Sequence, residues 1–189
     1  MQVVGLEQVT VIAAGGGLEG GSGYALRQDG TVRAWGANDF GQLGDGTTAD
    51  SSVPVQVVGL EQVTAIAAGG SPSPYDPQAY ALRRDGTVWA WGGNNFGQLG
   101  DGTTTDRTTP VQVVGLNQVT AIASGFSSGY ALRRNGTVWA WGGNNFGQLG
   151  DGTTTDRTTP VQVVGLDQVT AIAAGSDSGY ALVKKGWIS

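Results

Sequence analysis

With 189 residues, 39% of them hydrophobic and 13% charged, the chain is long enough to pack a core as one ordinary domain and is too apolar for wholesale disorder. A net charge of −5 withholds the basic footprint that phosphate backbones demand, and no apolar run approaches the ~20 residues of a membrane span, so neither a nucleic-acid nor a membrane partner is expected. Cysteine and histidine are both absent, which removes disulfides, thiolate metal sites and the commonest catalytic base.

In chain order, the first element is a lone outer-type strand over residues 2–6 of MQVVGL. The same N-terminus lacks the basic and apolar regions of a secretory signal, and both secreted and cytoplasmic settings stay open. Self-similar units follow at 9–58, 63–114, 119–164 and 169–189, within one repeat domain spanning 1–189. Their tyrosines, Tyr24, Tyr80, Tyr130 and Tyr180, are spaced 56, 50 and 50 residues apart. The surplus of the second unit lies in a proline-stiffened insertion, GSPSPYDPQ from Gly70 to Gln78.

The third unit serves as the template. VTAIASG (Val119 to Gly125) and GYALRR (Gly129 to Arg134) predict two strands. Asn135-Gly136 then suits a two-residue hairpin turn into TVWAWGG (Thr137 to Gly143). A long loop of Gly, Asn, Asp and Thr leads past Pro160 into a fourth strand, Val161 to Leu166, with the proline at its start, where no ladder donor is needed. AIAS, YAL and VWAW are apolar on both faces, so both faces need covering. No window shows a 3.6-residue period that would supply helices to do it. The prediction is an all-β fold of stacked, four-stranded antiparallel blades, about four per chain, with Trp139 and Trp141 projecting from one face to wedge between neighbours.

The string WGGNNFGQLGDGTTTDRTTPVQV, followed by VTAIAAG and by YAL with a DG or NG turn, resembles the regulator-of-chromosome-condensation repeat and covers essentially the whole chain. The resemblance implies a β-propeller, usually of seven blades of about fifty residues. Family members often carry a histidine just before the Leu-Ala-Leu-like strand, where this chain has tyrosine. Nucleotide exchange and chromatin binding by the founding member are not implied, because its basic tail and exchange loop have no counterpart here. The last unit lacks an outer strand and residues 2–6 supply a spare one. The expectation is that this strand completes the last blade, either as a four-bladed ring in one chain or, as favoured here, by N-terminal strand exchange in an eight-bladed homodimer. A fragment of a longer propeller is the alternative.

Catalytic chemistry has little to work with, and no enzyme activity, catalytic residue, cofactor or metal is expected. Asp45, Asp101 and Asp151, with Asp50, Asp106 and Asp156 five residues on, could ligate calcium through oxygen, but Asx-turn chemistry is the preferred reading. The tryptophan pairs are read as packing between blades rather than as sugar or base platforms, and Phe40, Phe96 and Phe146 as folding back to seal their loops. The expected function is recognition of an unidentified protein through loops on one propeller face. Asn94, Asn95, Phe96 and Arg107 and their copies Asn144, Asn145, Phe146 and Arg157 are the contact residues, with Tyr75 and Asp76 of the insertion. Arg107 and Arg157 could instead pair with Asp106 and Asp156. As recognition residues, their joint replacement by alanine would weaken binding without lowering the melting temperature. Alternatives are inhibition of a bacterial enzyme, as some bacterial proteins with similar repeats block β-lactamases, a carboxylate-based lyase or glycan-active enzyme at the propeller axis, or a purely structural product of repeat amplification.

Overall fold

A computed structural model describes residues 3, 5–17, 20–70 and 77–184. Among them no helix forms, and every sheet is antiparallel with its strands in chain order. The first blade contains β1 (Val9–Gly17), β2 (Gly20–Arg27), β3 (Val32–Gly36) and β4 (Ser51–Gln56). The second contains β5 (Val63–Gly69), β6 (Gln78–Arg83), β7 (Val88–Gly92) and β8 (Arg107–Gln112). The third contains β9 (Val119–Ser124), β10 (Ser128–Arg133), β11 (Val138–Gly142) and β12 (Arg157–Gln162), and β13 (Val169–Gly175) with β14 (Ser178–Val183) forms a two-stranded fourth sheet. The all-β, blade-by-blade architecture expected from the sequence is what forms.

Alternation along the strands splits each blade's apolar residues between two neighbours. From the first blade, Tyr24, Leu26, Val32 and Ala34 face the second, which answers with Ala79, Ala81 and Trp91. The other side of the second blade presents Tyr80, Leu82, Val88 and Ala90 to Ala131 and Trp141 of the third. The core is therefore a series of interblade layers, and the second and third blades each belong to two of them. Backbone bonds add to the stacking: Val63 N–H donates to the Gly30 carbonyl and Val119 N–H to that of Gly86, each from an innermost strand to the hairpin turn of the preceding blade.

The innermost strands β1, β5, β9 and β13 carry the small residues expected near an axis. At Gly69 a Cβ would sit 2.1 Å from the Gly125 carbonyl oxygen of the next blade, so the chain approach there requires glycine. Among the described residues, no further blade packs on the outer side of the first or the fourth sheet: Ile12 on the first blade is 75% exposed, and Tyr180 and Leu182 on β14 are mostly exposed.

One strand expectation is corrected. The fourth strand of the third unit runs from Arg157 to Gln162 instead of Val161 to Leu166, and Pro160 lies inside it. The proline is tolerated because β12 is the outer edge strand, paired only with β11, and the pairing is already irregular between Ala140 and Gly142. Val163–Leu166 then form a turn. The completing strand expected at 2–6 falls partly on Gln2 and Val4, outside the described residues. The described Val3, Gly5 and Leu6 show no strand, in keeping with the turn that Val163–Leu166, their counterparts, make in the third unit.

The two-sided core makes equivalent tryptophans unequal. Trp141→Ala is expected to lower stability by about 3–5 kcal/mol in urea unfolding, because a fully buried interblade ring is lost. Trp35→Ala, on a half-buried ring against which no blade packs among the described residues, should cost less than about 2 kcal/mol.

Candidate functional site

The loops between the third and fourth strands of successive blades emerge on one face, and their internal chemistry repeats almost atom for atom. In the second blade, Asn94 Nδ2 donates to the carbonyls of Thr103 (3.1 Å) and Thr105 (3.0 Å), while its Oδ1 accepts the Leu99 N–H (2.9 Å). Its own N–H donates to Asp106 Oδ1 (2.8 Å). Asn144 makes the same set with Thr153, Thr155, Leu149 and Asp156. Both asparagines are fully buried. The sequence reading offered them as partner contacts; the structure places them as the internal braces of the loops, unreachable from outside.

Arg107 and Arg157 are likewise committed, and not to the neighbours the sequence suggested. Arg107 Nε and Nη2 reach Asp101 Oδ2 at 2.9 and 2.7 Å, and Arg157 grips Asp151 at 2.7 and 2.6 Å. Asp106 and Asp156 are occupied by the asparagine backbones instead. Each arginine-paired aspartate has a side chain only 5% exposed and also accepts the N–H and hydroxyl of a threonine two residues on. Burial raises these carboxyls, but hydrogen bonds from Thr103 and Thr153 and the arginines outweigh it. Both lie below the ordinary carboxylate range, Asp151 at about 2. Their oxygens are thus taken by turn and ion-pair contacts, as in the Asx-turn reading, and among the described residues no cluster of acidic side chains could hold a metal ion.

What the loops leave for a partner is aromatic. Gln98 Oε1 accepts the Phe96 N–H (2.9 Å) and Gln148 Oε1 accepts that of Phe146 (3.0 Å), pinning both backbones. Phe40 and Phe96 are half-buried, but Phe146 does not fold back: it is 80% exposed. Phe96, Phe126, Asn145, Phe146, Gln148 and Asp177 surround a cavity of about 290 Å3 on this face. Asn95 and Asn145 are exposed beside it. Phe126, in the β9–β10 turn, was not singled out from the sequence; its signal was the departure of SGFSSG from the AGSDSG of the fourth unit. Tyr75 and Asp76 lie outside the described residues. Gln78, read as part of the insertion, is the buried start of β6, where its Nε2 donates to Ser124 Oγ and the Gly125 carbonyl.

The axis offers little chemistry. Ala14, Gly15, Gly69, Ser124, Gly125 and Ser176 line it, with no carboxylate among the described lining residues. The tyrosines of the Tyr-Ala-Leu strands donate to loop carbonyls, Tyr24 to Gln42 (2.8 Å) and Tyr80 to Gln98 (2.6 Å), and burial pushes both phenols far above their usual value, so they remain neutral donors.

Compared with known proteins, the chain matches the model of the regulator of chromosome condensation (RCC1) repeat over residues 29–73, 85–132 and 135–182, well over half its length. It is 34% identical over 132 residues to mouse E3 ubiquitin-protein ligase HERC2, covering 63% of this chain and 3% of that protein. It is 35% identical to the Arabidopsis thaliana ultraviolet-B receptor UVR8 and 33% identical to human regulator of chromosome condensation, covering 54% and 60% of this chain and 23% and 26% of those proteins. The chain therefore spans about a quarter or less of these relatives. Among solved structures it is similar to Saccharomyces cerevisiae Prp20p, with a TM-score of 0.78 at 22% identity over 96% of this chain and 45% of that one. It is also similar to human WBSCR16, with a TM-score of 0.63 at 21% identity over 98% and 60%.

The loop bracing generates two expectations. Asn144→Ala strips five side-chain hydrogen bonds from a buried position and should destabilise the protein by about 2–4 kcal/mol in chemical unfolding. Arg157→Ala should raise the Asp151 pKa from about 2 toward the ordinary range, read by carboxyl NMR titration. Because the folded-state value is depressed, the stability linked to Asp151 is present above about pH 4 and fades as pH falls toward 2. The variant should lose the part of that acid-sensitive component that Arg157 supplies, and with it melting temperature at neutral pH, contrary to a purely recognition role for the arginine; the part held by Thr153 remains.

Proposed function

The chain belongs to the regulator of chromosome condensation (RCC1) repeat family, and on that premise we propose that it is a protein-recognition module whose loop face binds a protein partner. The observation that carries the reading is the three-phenylalanine cavity between the second, third and fourth blades, with Phe146 held out into solvent by a backbone that Gln148 fixes. An aromatic ring on a rigid backbone loses little entropy on binding and supplies the anchor type that dominates interface energies. Asn95 and Asn145 lie beside it as exposed polar contacts, and the ion-paired Arg107 and Arg157, about one third exposed, border the same loops. Prp20p is described through its binding to Gsp1p and histones, and through its complex with Kap60, so protein recognition has precedent on this fold.

The proposal excludes Asn94 and Asn144 from direct contact, since a partner cannot reach them without unfolding the loop. The test is a pull-down from the native host followed by titration of the captured partner against a Phe96→Ala, Phe146→Ala double variant. Affinity is expected to fall at least tenfold, equivalent to about 1.4 kcal/mol, while the Phe146→Ala single variant keeps the wild-type melting temperature. Unchanged affinity in the double variant would refute the assignment of this face.

A further inference from the structure

The turns between the first two strands of each blade are where neighbouring units stop resembling one another. The β9–β10 turn reads SGFSSG and the β13–β14 turn AGSDSG, so Phe126 stands where the fourth unit has Ser176, and Asp177 where the third has Ser127. Backbone bonds lock these turns to each other and to the loop beside them. Phe126 N–H donates to the Ser176 carbonyl and Gly143 N–H to that of Ser127, both at 2.9 Å. Gly125 permits the approach, since a Cβ there would lie 2.8 Å from the Ser176 carbonyl oxygen.

The cavity of the loop face therefore has mixed walls, with Phe96, Phe126 and Phe146 on one hand and Asn145 and Asp177 on the other. Each segment that builds it, the β7–β8 and β11–β12 loops and the two turns, contributes lining residues that lie among the described ones. At about 290 Å3 it falls at the small end of ligand pockets, which begin near about 300 Å3, so it suits one long side chain better than a cofactor. Asp177 is exposed, and among the described residues no lysine or arginine ion-pairs with it. The surrounding face is negative as well. Arg107 and Arg157 of these loops are already paired, whereas Asp39, Asp45, Asp50, Asp106 and Asp156 form no ion pair among the described residues.

We propose that this cavity receives an arginine side chain of the protein partner, its guanidinium stacking on the phenylalanine rings and donating to the Asp177 carboxylate. The inference rests on the loop-face reading above and names the side chain that the face selects. Phenyl faces attract a cation, and a carboxylate beside them gives that cation a counter-charge. A purely phenyl-lined hole would favour an apolar group instead. Guanidinium is planar and weakly hydrated and carries its donors in a fixed fork, so it can stack and pair at once; a lysine ammonium is strongly hydrated and has no plane to stack. Asn145, exposed beside the cavity, offers a side-chain carbonyl as a further acceptor.

The test titrates the whole chain with acetyl-Gly-Arg-Gly-amide, followed by nitrogen-15 NMR. Two companion tripeptides carry citrulline, which keeps the shape of arginine and loses its charge, or lysine. Saturable shifts of the Phe126, Asn145 and Asp177 amides are expected, with arginine bound at least about tenfold more tightly than either companion. Asp177→Asn, a change at an exposed turn residue, should erase the preference over citrulline, and Phe126→Ala should weaken the arginine peptide at least about fivefold. If Phe126→Ala does not fold, the peptides and Asp177→Asn decide. Equal affinity for arginine and citrulline, or binding of neither, overturns the proposal, and lysine bound as tightly as arginine overturns it in favour of a general cation site. Failure of the peptides while the Phe96→Ala, Phe146→Ala variant still loses its captured partner sinks the arginine assignment and leaves the loop face standing. Arginine preference that depends on Asp177, beside a captured partner indifferent to the phenylalanines, upholds the arginine site and sinks the loop-face reading.

Discussion

The constraint on which this molecule depends is that its sheets are apolar on both faces. A blade with Tyr80, Leu82 and Val88 on one side and Ala79, Ala81 and Trp91 on the other has no side that water can occupy cheaply. Stacking covers both sides, and a buried indole needs a partner for its N–H. The glutamine carbonyl of the preceding loop meets that need at 2.8 Å in both complete interfaces. One hydrogen bond thereby ties the loop of one blade to the third strand of the next and fixes where that loop sits.

The candidate partner face inherits its form from this contact. Gln98 uses its carbonyl to receive two buried donors, Tyr80 and Trp141, while its side chain turns Phe96. Asn94 gathers the remainder of the same loop around its amide. Asn94 and Gln98 thus spend their polar groups inward, and in the equivalent loop of the third blade Phe146 is displayed to solvent.

Much of the fold was legible in the sequence because repetition and strand patterning are local. The Tyr-Ala-Leu and Trp-Ala-Trp segments, the Asn-Gly and Asp-Gly turns and the packing role of the tryptophans follow from periodicity and turn chemistry. The outer strand was misplaced because Pro160 was taken to mark its start, whereas an edge strand accepts a proline in its interior when the ladder is already irregular. The left-handed conformation of Gln62, Gln118 and Gln168 was not legible either, since glutamine gives no local preference for it. The tight approach of Gly30, Gly86 and Gly136 from the neighbouring blade accompanies it. In the site, Phe96 and Phe146 were identified correctly as loop residues, but the burial of Asn94 and the pairing of Arg107 with Asp101 depend on how a fourteen-residue loop closes on itself, which pairwise spacing does not encode. The recurrence of an unvaried Asn-x4-Leu in each loop was the available signal, because an amide that bridges a loop has to recur with it.

The central claim is that interblade indole bonds hold the arc together, and hydrogen exchange of the indole N–H groups, followed by nitrogen-15 NMR in deuterated buffer, tests it most directly. The account predicts that the Trp91 and Trp141 protons persist until global unfolding, whereas that of Trp35, half-buried and with no blade packed against it among the described residues, exchanges within the earliest spectra. Equal exchange at the three sites, or rapid loss at Trp91 and Trp141, would contradict it.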